Sequence, residues 1–194
     1  MLLMIEHLYS TPVYSNFCNN HQVLNYHIDK TINKVKFSYK SDWGRTHLLS
    51  TDFQEDNINV LKYLKLDKII KEIDYHVKIY CSEIGREYKK YELQSWFSKF
   101  TPGDYAQIHN HTCVDISGVY YYKTNGVDGD FFFESPNPHL STSHMFGHLG
   151  RRWEYKPESG KILLFPGWLN HGVKTNETKD ERISLSFNII FPRA

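Results

Sequence analysis

The hydrophobic period of this chain changes near Tyr91, and that change constrains its fold more than any other feature. Upstream, Ile69, Ile70, Ile73, Val77, Tyr80 and Ile84 recur at helical spacing, which predicts an amphipathic helix from about Asp67 to Ile84 with Gly85 as its stop. Downstream, short apolar runs alternate with turn signals. Leu93–Phe100 ends at Thr101-Pro102-Gly103-Asp104, and Tyr105–His109 follows. Val114–Tyr122 precedes Thr124-Asn125-Gly126, Phe131–Glu134 comes next, Ile162–Phe165 ends at Pro166-Gly167, and Ile183–Phe191 closes the series. Several short strands at such spacing predict an antiparallel sandwich or barrel.

The remaining segments fit around that core. Leu8 to Tyr14 reads as a short edge strand, because Pro12 cannot sit in the middle of a sheet. Asn20 to Lys36 reads as a helix, and Asp52 with Glu55 resembles a capping box opening a segment through Leu64. Ser135 to Gly160 is polar and interrupted by Pro136, Pro138 and Pro157; it reads as a long loop with one strand at Arg152–Tyr155, of the kind that forms lids and binding loops. With 194 residues and no linker, the expectation is a single domain, 1–194. Its N-terminal strand and helices (1–90) pack on the outside of a β core (91–194).

Bulk properties exclude several classes. A net charge of +1 offers no case for a nucleic-acid or anionic-membrane partner. Cys18, Cys81 and Cys113 are scattered, without a C-x-x-C pair, which fits a reducing compartment. No apolar run approaches the ~20 residues of a membrane span, and Met1 to Ile5 is too short for a signal peptide, so a cytoplasmic location is expected. The 14 tyrosines and 12 phenylalanines favour strand-rich structure.

The chemistry concentrates at His109-Asn110-His111. Residues i and i+2 of a strand share a face, so two imidazoles at that spacing can grip one metal ion. His171 follows a buried run and the tight turn Pro166-Gly167, which aims it at the mouth of the fold, so it can supply a third ligand. Asp115 is the alternative to His111, since two histidines and a carboxylate form the common non-heme iron triad. Arg182, one strand further on, suits a carboxylate held bidentately. Together these residues point to a metal-dependent oxygenase with a small diacid co-substrate. His7, His21, His27, His47 and His76 have no partner at ligand spacing, and His139, His144 and His148 read as loop histidines. Cys113 reads as a buried neighbour of the site, Trp168 as either a pocket wall or core, and Arg151, Arg152 and Trp153 as either substrate contacts or solvated surface.

Four stretches carry a family resemblance: His109-Asn110-His111, Ser117-Gly118-Val119-Tyr120-Tyr121, Gly160 through His171, and Arg182 through Asn188. In order and spacing, from about Trp96 to Asn188, they resemble the 2-oxoglutarate and Fe(II)-dependent dioxygenases, in the branch called putative 2OG-Fe(II) oxygenases of bacteria and marine phages. Leu8 to Val13 is similar to that branch's opening segment. The resemblance implies a mainly β fold with N-terminal helices, a double-stranded β-helix (jelly roll, cupin-like), with Fe(II) at its mouth and 2-oxoglutarate and O2 as co-substrates. It implies that His109 and His171 are ligands, that Arg182 and Ser184 hold the distal carboxylate of 2-oxoglutarate, and that Tyr120 or Tyr122 adds a hydroxyl to it. His111 departs from the wider superfamily, which has an acid there, although the branch itself often carries H-x-H. The reaction implied is hydroxylation of an amino-acid, peptidyl or small-metabolite C–H bond. The expected partner is a small-molecule or peptide substrate, with a homodimer left open. Cupins offer a competing, looser match through Gly103, His109, His111, Asp115, Gly160, Pro166 and His171, but a cupin has no need of Arg182. A binding module with a vestigial metal site is the non-enzymatic alternative.

Overall fold

The computed structural model describes residues 9–40, 46–50 and 59–192. Eleven strands are described: β1 (Tyr14–Phe17), β2 (Ser38–Tyr39), β3 (Leu48–Leu49), β4 (Glu92–Phe100), β5 (Ala106–His109), β6 (Ile116–Lys123), β7 (Phe131–Phe133), β8 (Trp153–Tyr155), β9 (Lys161–Pro166), β10 (His171–Val173) and β11 (Arg182–Ile190). Seven form one sheet in the order β1-β9-β6-β11-β4-β3-β2, and four form a second in the order β5-β10-β7-β8. Neighbouring strands in both sheets run antiparallel. The larger sheet faces the smaller as a jelly roll, the fold that the family resemblance implied; the alternation after Tyr91 had predicted the broader class, a sandwich or barrel.

Strand parity divides the interior into two layers. On β11, Ile183, Leu185, Phe187 and Ile189 join Tyr120, Tyr122, Ile162 and Leu164 in one apolar cluster. The helices α1 (His21–Asp29), α2 (Val60–Tyr63) and α3 (Asp67–Glu83) complete that cluster with Leu24, Leu61, Ile69, Ile73, Val77 and Tyr80. A second cluster fills the space between the sheets with Phe100, Val119, Tyr121, Phe131, Phe133, Leu163, Phe165 and Val173. The helices therefore cover the outer face of the larger sheet. Its inner face is left for a site.

Helix α3 matches its sequence pattern. It ends where Gly85, at φ 67°, donates to Ser82 and Arg86 donates to the Cys81 carbonyl at 2.8 Å, a left-handed cap that glycine makes without strain. The first helix is shorter than expected. It stops at Asp29 because the Thr31 hydroxyl caps the His27 and Ile28 carbonyls, and a 3-10 turn at Ile32–Lys34 follows. The first described strand begins at Tyr14 rather than ending there, and Pro12 precedes it, its carbonyl accepting a bond from the Tyr80 hydroxyl. The expected capping box at Asp52 and Glu55 lies outside the described residues; α2 is capped instead by Asn59, whose side chain accepts from the Lys62 amide. The long loop contains two 3-10 turns, Pro138–Thr142 and Gly147–Gly150, before β8, which begins one residue later than the sequence suggested. None of the described helices is long and apolar enough to cross a membrane.

Candidate active site

Strands β5 and β10 bring the first two histidines together. His109 ends β5 and His171 opens β10, directly opposite it in the ladder, with ring centroids 4.3 Å apart. His111 lies just beyond β5, where its amide donates to the Gly167 carbonyl at 2.8 Å. Its ring is 5.2 Å from both His109 and His171. Glycine is required at 167 because a Cβ there would collide with the Val114 carbonyl oxygen. The Pro166-Gly167 turn thus presses against the chain that carries His111. Potential ligand nitrogens of the three residues all lie within 4.8 Å of one another.

The imidazoles are set up as neutral donors. Nδ1 of His109 meets the Gln107 carbonyl at 2.8 Å, and Nδ1 of His171 meets the Leu169 carbonyl at the same distance. A carbonyl only accepts, so each Nδ1 carries the proton and each Nε2 presents a lone pair. Burial lowers the pKa of all three, with a further lowering of His111 and His171 by His109; His111 falls to about 4. Unprotonated imidazole is the form that binds metal.

The structure does not bring Asp115 into this cluster. Its carboxylate accepts the Phe191 amide at 2.8 Å, and its backbone bonds Ile189 and Gly167, so it ties down the end of β11. Cys113 is exposed rather than buried, at a left-handed φ of 61°. Trp168 is 54% exposed, neither core nor a wall of the cavity.

From the histidines a cavity of about 650 Å³ runs along the inner face of the larger sheet. Arg182, Ser184, Ser186 and Asn188, the residues of β11 that alternate with its apolar row, line it. Arg182 is 0% exposed. Its guanidinium lies 5.1 Å from the Phe100 ring and 5.1 Å from the Tyr121 ring, and Nη1 donates to the Gly129 carbonyl at 2.6 Å. Nε and Nη2 make no hydrogen bond with any described residue, and neither does the buried Tyr121 hydroxyl. Burial lowers the arginine's pKa, opposed by Tyr121, Asp128 and Asp130, yet a guanidinium stays charged in proteins. A buried cation with open donors is costly unless an anion meets it. A carboxylate fits this place, so the residues present suit both a metal and a diacid.

The tyrosine expectation requires correction. Tyr120 and Tyr122 point away from Arg182, toward the helices, where their hydroxyls bond Asn25 at 2.6 Å and Asp29. Tyr121, between them, faces Arg182. Two further residues lacked a sequence signal. His47 lines the cavity, stacked on Phe100 at 4.7 Å, and Trp96 lies 5.9 Å from His111. Of the basic pair in the long loop, Arg152 is engaged with Glu134 at 3.2 Å and sits over Phe132.

Comparison with known proteins bears on the family and the fold. The family model described as "Putative 2OG-Fe(II) oxygenase" matches residues 94–188, from β4 through the inner row of β11. Over that stretch the chain is similar to the 2OG-Fe(II) oxygenases, which marks it as an oxidoreductase whose cofactors are Fe(II) and 2-oxoglutarate, with O2 as oxidant. No curated protein sequence matches it. Similar solved structures share the fold at low identity. A Pseudomonas putida prolyl-4-hydroxylase is 12% identical with a TM-score of 0.63, covering 96% of each chain. The non-heme alpha-ketoglutarate-dependent epimerase SnoN of nogalamycin biosynthesis is 11% identical with a TM-score of 0.64, over 93% of this chain and 78% of its own. HygX from Streptomyces hygroscopicus, solved with nickel, 2-oxoglutarate and hygromycin B bound, is 9% identical with a TM-score of 0.63, over 92% and 82%.

Proposed function

We propose that His109, His111 and His171 hold the iron, that Arg182 with Ser184 and Tyr121 holds the distal carboxylate of 2-oxoglutarate, and that the enzyme hydroxylates a C–H bond of an amino-acid, peptidyl or small-metabolite substrate. The observation that carries this reading is Arg182, fully buried with Nε and Nη2 open toward no described partner, in the cavity that the three histidines also line.

When bound, iron would activate O2 with 2-oxoglutarate as the co-reductant: one oxygen atom of O2 would enter the 2-oxo acid, which would leave as succinate and carbon dioxide, and the other would enter the substrate C–H bond. The chain itself positions and shields. The Gln107 and Leu169 carbonyls fix the tautomers of His109 and His171. Phe131 and Phe165 pack against His171, with ring centroids at 5.4 and 4.8 Å, and keep water from that side of the cluster. Phe100 and Tyr121 flank the guanidinium and hold its donors in place. Trp96 and His47 wall the cavity and meet whatever enters it.

The test is anaerobic titration of 2-oxoglutarate into the Fe(II) protein, followed by a substrate screen that reads succinate release. Saturable binding at micromolar to millimolar co-substrate is expected. Failure of the wild type to bind at millimolar co-substrate overturns the reading in favour of a cupin-like metal protein.

A further inference from the structure

Outside the cavity, on the helix-covered side of the larger sheet, Cys18, Glu72 and His76 converge. Their potential ligand atoms, one sulfur, one carboxylate oxygen and one imidazole nitrogen, all lie within 4.8 Å of one another. Glu72 and His76 are four residues apart on α3 and so share a helix face. Cys18 directly follows β1, where its amide donates to the Gly160 carbonyl at 2.8 Å. The three residues therefore come from two separate pieces of chain.

His76 is the unexplained member. It is 1% exposed, and its Nε2 makes no hydrogen bond with any described residue. Glu72 Oε1 stands 3.4 Å from it and already accepts the Asn19 amide at 2.8 Å. On the other side of the ring, Nδ1 meets the Tyr14 hydroxyl at 2.8 Å. With the proton on Nδ1, donated to the Tyr14 oxygen, Nε2 turns a bare lone pair toward Glu72 and Cys18. That is the arrangement of a metal-bound histidine with its outer nitrogen held by a hydrogen bond.

Distances favour a tetrahedral cation. Zinc bonds of about 2.0–2.3 Å to N, O and S place neighbouring ligand atoms of a tetrahedron about 3.3–3.8 Å apart. The His76–Glu72 separation of 3.4 Å is long for a hydrogen bond but falls on that edge length. The donor set matters as well. A thiolate with an imidazole selects zinc-like ions over calcium or magnesium, which prefer oxygen.

We propose that Cys18, Glu72 and His76 form a second metal site, for a zinc-type divalent cation, that ties the segment after β1 to helix α3. Glu72 is partly exposed and opens the fourth position to water. Binding displaces the Cys18 thiol proton to solvent and leaves a metal–thiolate bond. Burial of the thiol, beside Glu72, keeps it protonated until a cation arrives. The site is independent of the three-histidine centre, which contains no sulfur ligand.

Cobalt(II) separates the two centres, because only a sulfur-ligated cobalt shows an intense near-ultraviolet charge-transfer band. The experiment titrates Co2+ into reduced, metal-stripped, full-length protein carrying Cys113→Ser, so that the exposed thiol near the histidines plays no part. The band is expected to grow to one equivalent, to persist in His171→Ala, to vanish in Cys18→Ser and to be bleached by zinc. Glu72→Gln, on the partly exposed rim of α3, is expected to weaken cobalt binding at least tenfold while the far-ultraviolet circular dichroism stays that of the parent. Absence of the band at saturating cobalt, its survival in Cys18→Ser, or unchanged affinity in Glu72→Gln overturns the proposal.

Discussion

Tyr121 and Arg182 face each other inside the jelly roll, ring centroid to guanidinium 5.1 Å, and both carry buried donors that no described residue satisfies. Their neighbours in sequence, Tyr120, Tyr122 and Ile183, all point to the opposite layer. The relationship follows from strand parity: β6 and β11 lie side by side in the larger sheet, and one face of each belongs to the helices while the other belongs to the cavity.

Arg182→Ala is expected to weaken 2-oxoglutarate binding by roughly ten- to a hundredfold or more, since hydrogen bonds to charged groups are worth roughly 1.5–3 kcal/mol and each ~1.4 kcal/mol is tenfold. Tyr121→Phe removes a single hydroxyl and is expected to cost about threefold to tenfold. Tyr120→Phe and Tyr122→Phe leave co-substrate affinity unchanged and instead lower stability by about 1 kcal/mol each, because their hydroxyls serve Asn25 and Asp29. Anaerobic co-substrate titrations and urea melts on the four variants separate the two effects. Equal affinity loss in Tyr120→Phe and Tyr121→Phe would place the carboxylate elsewhere.

Metal content should follow the histidines and ignore Asp115. His109→Ala, His111→Ala and His171→Ala are expected to lose most of the Fe(II), whereas Asp115→Asn keeps it. The Asp115 variant is destabilised by about 1–2 kcal/mol, because the carboxylate that accepts the Phe191 amide becomes a weaker acceptor. Elemental analysis beside thermal melts measures both. Iron lost from Asp115→Asn but retained by His111→Ala reverses the ligand assignment.

The parts of the site legible in the sequence were those whose signal is local. His109 and His111 announce themselves by spacing, His171 by the Pro166-Gly167 turn, and Arg182 by its place opening an alternating strand. Tyr121 was not legible because Ile116 to Tyr122 is buried on both faces, so the strand reads as a continuous apolar run with no visible parity. The register shift between Ile183 and Ser184 in the pairing of β11 with β6 further hides which tyrosine lies beside the arginine. His47 reaches the cavity on a segment leading into a strand of only two residues, too short for any period to show. Likewise β10 is three residues long and depends on its neighbours β5 and β7 rather than on its own pattern. The pairing of Cys18 with α3 is a long-range contact that spacing cannot reveal.

Acid should destabilise the metal-free protein in a defined window. Burial lowers the pKa of His47 to about 4, the largest effect, with His109 adding to it; His111 falls to about 4 for the same two reasons. An unfolded histidine titrates near 6.5. Below about pH 6.5 the unfolded chain therefore binds protons that the folded chain refuses, and stability falls as pH drops toward 4. Each group contributes up to roughly 3 kcal/mol over that window. His47→Phe keeps an aromatic ring against Phe100 and is expected to flatten the pH dependence of the urea midpoint between pH 6.5 and 4. An unchanged slope in that variant would show that His47 is protonated in the folded protein.

Gly167→Ala tests the link between a turn and the proposed metal centre. Gly167 has no room for a Cβ, since it would collide with the Val114 carbonyl oxygen and crowd the Val114 side chain. The same residue accepts the His111 amide at 2.8 Å and donates its own amide to Asp115. Relief of the collision must move either the turn that precedes His171 or the segment Val114–Asp115 that follows His111. Either movement changes the spacing of the His111 and His171 rings, which now stand 5.2 Å apart. Backbone, unlike a flexible side-chain tip, yields at a cost of about 1–3 kcal/mol. Gly167→Ala is accordingly expected to lower stability by that amount and Fe(II) affinity at least tenfold, although it replaces no ligand. Gly118→Ala is the control. Its Cβ would meet the Phe187 ring on the helix side of the sheet, so it should lower stability by a similar amount and leave iron affinity within about twofold. Iron titrations and melts on the two variants decide the matter, and equal iron affinity in both would mean that the turn does not position the third histidine.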